Sequence, residues 1–337
     1  MKDLIMAIGD TKNWAFKKGY YHHSQPSTPD YYTFFQKGII RPARSKALKI
    51  INGETDGVKE EAEAFLEQHG YYIDYLGKTQ FTDNINMASG RAVEYYCDQV
   101  LIHGAMPNEA YREVLNLLLS LQTGSWLDQE KTKAQIEGRQ KTRFQENGKA
   151  GKLFSENQQP VFCEFELVCQ NAHAGLKEAM QGANEIIGQT ELRGKLPGCQ
   201  LDYLGYGDYQ GGAVELKTQW DTGVDTDSPR SNSLPKDIKH PHLMQIAGYW
   251  HITGKIPRIV YANRLGYRVF EATIEQLEYA LSDVIAACVR REKLMMVTEN
   301  VEQLLKLCDP HFADSFVWRD VHPDVLRQAK KLAGVIK

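Results

Sequence analysis

The chain has 337 residues and no apolar run long enough to span a bilayer. Its opening, Met1 to Asp10, has a very short apolar patch and an early acid, which makes a poor secretory signal. A cytosolic or nucleoid-like compartment is the expectation. No excess of positive charge is present: the net charge is −3. That weighs against a large nucleic-acid coat protein but leaves room for an enzyme with a local basic groove. None of the six cysteines forms a C-x-x-C pair, which excludes a zinc ribbon and a closely spaced iron–sulfur cradle. Isolated buried thiols are expected instead. There is no G-x-x-x-x-G-K-[ST] phosphate loop and no nucleophile elbow, so neither an NTP-driven motor nor a serine hydrolase is indicated. His240-Pro-His242 lacks a third nearby ligand and reads as a helix start or a phosphate contact.

Hydrophobic content of 42% and charged content of 25% are those of a globular chain. Apolar spacing predicts helices over 57–69, 86–104 and 108–121, the second with Val93, Tyr96, Cys97, Val100 and Leu101 on one face. Residues 129–152 are polar and repeatedly basic, consistent with a solvated segment or with an arm that contacts phosphates. A strand is expected over Val161 to Cys169 and a helix over Lys177 to Ile187. Three short strands follow, at 188–196, 200–206 and 213–218. A long polar loop spans 219–236, then a helix 238–252, a strand 257–263 and at least two helices within 273–307. The reading is a mixed α/β core with helical additions. Its expected division is an N-terminal helical and basic region over 1–85, a core over 86–265 with a helical insertion near 105–160, and a C-terminal helical region over 266–337.

The most informative stretch runs from Asp202 to Lys217. It reads Asp-Tyr-Leu-Gly-Tyr, a Gly-rich turn, then Ala-Val-Glu-Leu-Lys. Folded as a hairpin about Tyr209 and Gln210, it places Asp202 roughly opposite Lys217, with Glu215 diagonal to it. All three then share one face. Asp202 and Glu215 could hold Mg²⁺ or Mn²⁺ through oxygens, with the Leu216 carbonyl as a further ligand. Lys217 could position a water and stabilise developing charge. By itself the pattern also fits an ordinary polar hairpin face. Two helices add to it. Gln245 and Tyr249 are four apart and meet on one helix face, and Glu94 lies on the helix that begins near residue 86.

Taken in order, Gly90-x-x-x-Glu94, Asp202, Glu215-x-Lys217 and Gln245-x-x-x-Tyr249 resemble the RecB-like exonuclease branch of the PD-(D/E)XK nucleases, which includes mitochondrial genome maintenance and phage lambda/RecE-type exonucleases. The likeness covers residues 86–263 with an interruption. It implies a restriction-endonuclease-like αβββαβ core with added N-terminal, inserted and C-terminal helices. It implies Mg²⁺- or Mn²⁺-dependent hydrolysis of DNA at ends or in single strands, in recombination, repair or degradation. Lys217, Glu215 and Asp202 would be catalytic; Glu94, Asp202, Glu215 and the Leu216 carbonyl would bind metal. Gln245, Tyr249, Arg91 and His242 would support the site or touch DNA. Many relatives carry His where Glu94 stands, while lambda-type members use an acid. No iron–sulfur cluster and no membrane partner are expected, and a ring-forming oligomer is admitted by analogy. Tyr31, Tyr32, Phe34 and Phe35, with basic residues nearby, are candidates to line a strand channel. An endonuclease on the same core is one alternative; a catalytically silent DNA-binding module is another, and the full carboxylate–lysine set speaks against it.

Overall fold

The computed structural model describes residues 20–22, 26–68, 71–73, 79–81, 85–120, 163–219, 233–298, 300–313, 315–318, 321 and 323–336. The basic segment 129–152 and most of the polar loop 219–236 lie outside them. The described elements begin with β1 (Tyr20–His22), α1 (Asp30–Phe35), a π-helical stretch (Gln36–Ile40), α2 (Arg41–Ile51) and α3 (Lys59–Gln68). Next come β2 (Tyr71–Ile73), β3 (Thr79–Phe81), α4 (Ile85–Leu101), α5 (Pro107–Ser120) and α6 (Cys163–Ala179). The centre holds β4 (Thr190–Lys195), β5 (Asp202–Gly207), β6 (Val214–Thr218), α7 (His240–Thr253), β7 (Arg258–Asn263) and β8 (Gly266–Glu271). Helices α8 (Ile274–Val297), α9 (Val301–Lys306), α10 (Ser315–Trp318) and α11 (Pro323–Leu332) complete the description. The fold is mixed α/β. Among the described residues, no helix is long and apolar enough to cross a membrane.

The strands form sheets of order β1-β5-β4 and β6-β7-β8, with β2 and β3 paired separately. Strand β4 runs antiparallel to β5, with Lys195 opposite Asp202, and β1 runs parallel to β5. Strands β6 and β7 are parallel, with Lys217 beside Tyr261. A parallel pair needs a crossover, and the segment containing α7 supplies it. Pro241 lies in the first turn of α7, and Gly254 closes the helix in the left-handed conformation at φ 70°.

Strand β7 is covered on both faces, as a near-continuous apolar run requires. Ile259 and Tyr261 join one core, with α7 and α8. Val260 and Ala262 join the other, with α4 and α6. Two glycines set how closely α7 approaches β5. A Cβ on Gly248 would lie 2.5 Å from the Tyr203 ring, and one on Gly205 would lie 2.3 Å from the Tyr249 ring. Each glycine thus receives the tyrosine that neighbours the other. Gly248→Ala is expected to destabilise the fold by about 1–3 kcal/mol through overpacking. Urea unfolding monitored by far-UV circular dichroism would read this as a lower midpoint.

Three expectations are corrected. Val161–Cys169 contributes no described strand: α6 starts at Cys163 and runs through the segment, burying Val168, Cys169, Ala172, Leu176 and Ala179 at helical spacing. The apparent alternation covered too few residues to separate a strand from one apolar helix face. The helix expected over Lys177–Ile187 therefore begins far earlier and ends at Ala179. Tyr31, Phe34 and Phe35 are fully buried in the main core, so they do not line a surface channel. Tyr31 Oη donates to the Ala329 carbonyl at 2.6 Å, and Asp30 accepts from Arg290 and Arg291, fastening the N-terminal helices to the C-terminal ones.

The hairpin is the third correction. Strands β5 and β6 belong to different ladders; Tyr209, two residues beyond β5, makes an isolated antiparallel bridge to Val214 of β6. The turn between them is too tight to continue as a ribbon. Gln210, Gly211 and Gly212 have φ of 54°, 64° and 83°. A Cβ on Gly207 would fall 2.3 Å from Gly212 Cα. The strands diverge from that crossing, so Asp202 is not opposite Lys217.

Candidate active site

Strand β6 carries Glu215 and Lys217 towards α7, where alternation places them on one face. Glu215 is buried, at 1% exposure, which a carboxylate tolerates only with partners. It has three. Its Oε1 accepts from Lys217 Nζ at 2.6 Å and from Gln245 Nε2 at 2.5 Å, and its Oε2 accepts a long 3.5 Å contact from the Asp208 backbone N–H. Gln245 Nε2 also donates to Tyr249 Oη at 2.8 Å, and Tyr249 Oη donates to the Tyr206 carbonyl at 2.9 Å. The i, i+4 spacing on α7 thus builds a relay that fixes the Glu215 head group from the helix side.

A second acid, not singled out from sequence, completes the centre. Asp208 follows β5 directly, and its Oδ2 accepts from the Leu216 N–H at 2.9 Å. A residue's N–H and C=O point to the same side of a strand, so the Leu216 carbonyl also faces this side of β6. Burial raises the Asp208 pKa well above the usual carboxylate range, reinforced by Glu215 and Glu94 and opposed by Lys217 and the Leu216 N–H.

Helix α4 brings Glu94. Its approach to β6 is close: a Cβ on Gly90 would lie 3.3 Å from Thr218 Oγ1. The Glu94 carboxyl is pushed up to about 7, first by burial, then by Asp98 and Glu215, against the pull of Lys217 and Arg91. For Lys217, burial works against the charge, but Glu215, Asp208 and Glu94 outweigh it and the pKa is raised. The ammonium therefore stays protonated amid three acids that repel one another. His242 Nδ1 lies 2.8 Å from Tyr261 Oη, and burial, Lys217 and Lys239 push its pKa down to about 3. It is a neutral imidazole at ordinary pH. Arg91 is half-buried and close enough to lower the Glu94 pKa.

The structure does not bring Asp202 to this cluster. Asp202 begins β5, six residues before Asp208, or about 20 Å along an extended strand. Its carboxylate accepts from Arg193 Nε at 2.8 Å and pairs with Lys195 Nζ at 3.0 Å. Lys195 and Arg193 hold its pKa low. It is a surface ion-pair residue on the β4–β5 ladder. The signal for Asp208 was present: an acid where a strand enters a Gly-rich turn, seven residues before Glu215. Counting an assumed hairpin register pointed past it.

Glu94, Asp208 and Glu215 carboxylates and a backbone carbonyl are oxygen donors of the type a hard divalent cation takes, and the Glu94 and Asp208 pKa values are raised by burial first and by repulsion from neighbouring acids second. Among the described residues, no three His, Cys, Asp or Glu side chains form a ready-made cage. Compared with known proteins, the chain matches no family model, no curated protein and no solved structure.

Proposed function

We propose that the chain is a metal-dependent DNA nuclease with a PD-(D/E)XK core of the RecB-like exonuclease type. The observation that carries this reading is the buried Glu215–Lys217 pair, braced by Gln245 and Tyr249 and faced by Asp208 and Glu94. An ordinary polar strand face would leave Glu215 in water, where it needs no relay. The element order from α6, a helix, three strands, a helix and a strand, supports the same core.

Asp208, Glu215 and Glu94, with the Leu216 carbonyl, would hold Mg²⁺ or Mn²⁺. Such an ion, when bound, polarises a phosphoryl oxygen and lowers the pKa of a bound water. The chain's own groups do the rest. Lys217, held protonated, offers N–H donors to oxygens that gain charge as the phosphodiester is attacked. Gln245 and Tyr249 keep Glu215 in one orientation. Neutral His242 adds no charge beside Lys217.

The test uses purified protein with end-labelled linear duplex, linear single strand and a covalently closed single-stranded circle. Release of label from a linear substrate with Mg²⁺, its loss with EDTA and survival of the circle are the expected results. Cleavage of the circle would make the enzyme an endonuclease on this centre. DNA binding with no Mg²⁺-dependent cleavage of any substrate would overturn the reading in favour of a silent binding module.

A further inference from the structure

Asp98 lies one turn beyond Glu94 on α4, and its Oδ1 accepts a hydrogen bond from Tyr209 Oη at 2.7 Å. Tyr209 is fully buried and immediately follows Asp208. Its backbone is fixed as well. The Tyr209 N–H donates to the Val214 carbonyl at 3.0 Å, and its carbonyl accepts from Gly212 at 3.1 Å and Val214 at 3.2 Å. The Tyr209 ring therefore projects from a rigid turn, and its hydroxyl ends on the helix that carries Glu94. The two acids approach from different elements, and the turn that carries Asp208 meets β6 at one isolated bridge, Tyr209 to Val214, so their separation needs a tie of this kind. The bond also crosses 111 positions in sequence, which makes it a specification of tertiary geometry and not a local turn contact.

Asp98 is a costly choice for a purely structural acceptor. Burial raises its pKa, opposed by the Tyr209 hydrogen bond and by His103. It also repels Glu94 from the same helix face. A carboxylate accepting from a phenol makes a shorter, stronger and more directional bond than a neutral pair, which suits precise placement. We infer that Asp98 and Tyr209 are positioning residues that set the distance between Glu94 and Asp208, and through it the affinity of the site for its divalent cation. The inference rests on the nuclease reading.

Tyr209→Phe removes the hydroxyl and keeps the buried ring. Asp98→Asn keeps an acceptor for that hydroxyl. Initial cleavage rates of labelled DNA would be measured across Mg²⁺ concentrations, with Mg²⁺ binding by calorimetry and thermal unfolding on the same samples. Tyr209→Phe is expected to raise the half-saturating Mg²⁺ concentration about tenfold, the lower end of the effect of losing an outer-shell partner. Its rate at saturating Mg²⁺ should return to within about threefold of wild type, because no group that touches substrate is lost. Asp98→Asn replaces the charged acceptor by a neutral, weaker one and should raise the half-saturating Mg²⁺ concentration in the same direction but by less than Tyr209→Phe. A merely structural bond would lower the unfolding temperature and leave the Mg²⁺ dependence in place. That outcome for Tyr209→Phe, or an Asp98→Asn effect as large as that of Tyr209→Phe, would overturn the positioning role. If wild-type protein neither binds Mg²⁺ nor cleaves, the nuclease reading falls and this role with it.

Discussion

Asp208→Asn is expected to lower the rate of Mg²⁺-dependent DNA cleavage by about 100- to 1000-fold, while Asp202→Asn leaves it within about twofold of wild type. The contrast follows from the surroundings of two acids, one at the start of β5 and one just past its end. Asp208 meets the Leu216 N–H and lies in the field of Glu215, Glu94 and Lys217. Its amide isostere keeps an oxygen for Leu216, so the fold should persist while the charge is lost. Among the described residues, Asp202 pairs with Arg193 and Lys195, two exposed cations. Exposed pairs of this kind contribute about 0–1 kcal/mol, so the unfolding temperature of Asp202→Asn should barely move. Initial rates at saturating Mg²⁺, with unfolding curves for both variants, check the pair. An inactive Asp202→Asn beside an active Asp208→Asn would restore the hairpin register and remove Asp208 from the centre.

That contrast also marks what sequence could and could not show. Glu215, Lys217, Gln245 and Tyr249 were legible because each pair is set by local periodicity, two along a strand and four along a helix. Glu94 was legible as an acid on an apolar-striped helix, though its neighbours were not. Asp208 depends on how β5 crosses β6, and strand pairing is non-local. One bridge and a run of positive φ values at 210–212 decide it, and no alternation pattern encodes them. Helix α6 was misread for a related reason. Its first residues are compatible with either period, and the arbiter is Val260 and Tyr267 packing against Gly175, far along the chain. The mixed α/β class survived both errors because it rests on element order.

Glu94→Gln is expected to stabilise the protein above neutral pH while it weakens the cation site. An ordinary glutamate titrates near 4.5, and Glu94 is pushed up to about 7 in the fold. A folded-state pKa raised above the unfolded one adds stability that is complete below the unfolded pKa and is lost as pH rises through the folded pKa. For Glu94 the loss therefore runs from roughly pH 4.5 to roughly pH 7. At about 1.4 kcal/mol for each unit, the full swing is on the order of 3 kcal/mol, with burial as its first cause and repulsion by Asp98 and Glu215 next. The amide carries no charge to desolvate, so the variant should unfold several degrees higher than wild type at pH 8 and nearly with it at pH 4. Added Mg²⁺ should then raise the wild-type unfolding temperature at pH 8 more than that of Glu94→Gln, because a ligand stabilises in proportion to its affinity for the folded state. Unfolding temperatures across pH 4 to 9, with and without Mg²⁺, measure both effects. Parallel pH profiles for the two proteins would show that Glu94 is not held at a cost. Equal Mg²⁺ shifts would show that whatever keeps the acid there is not a cation.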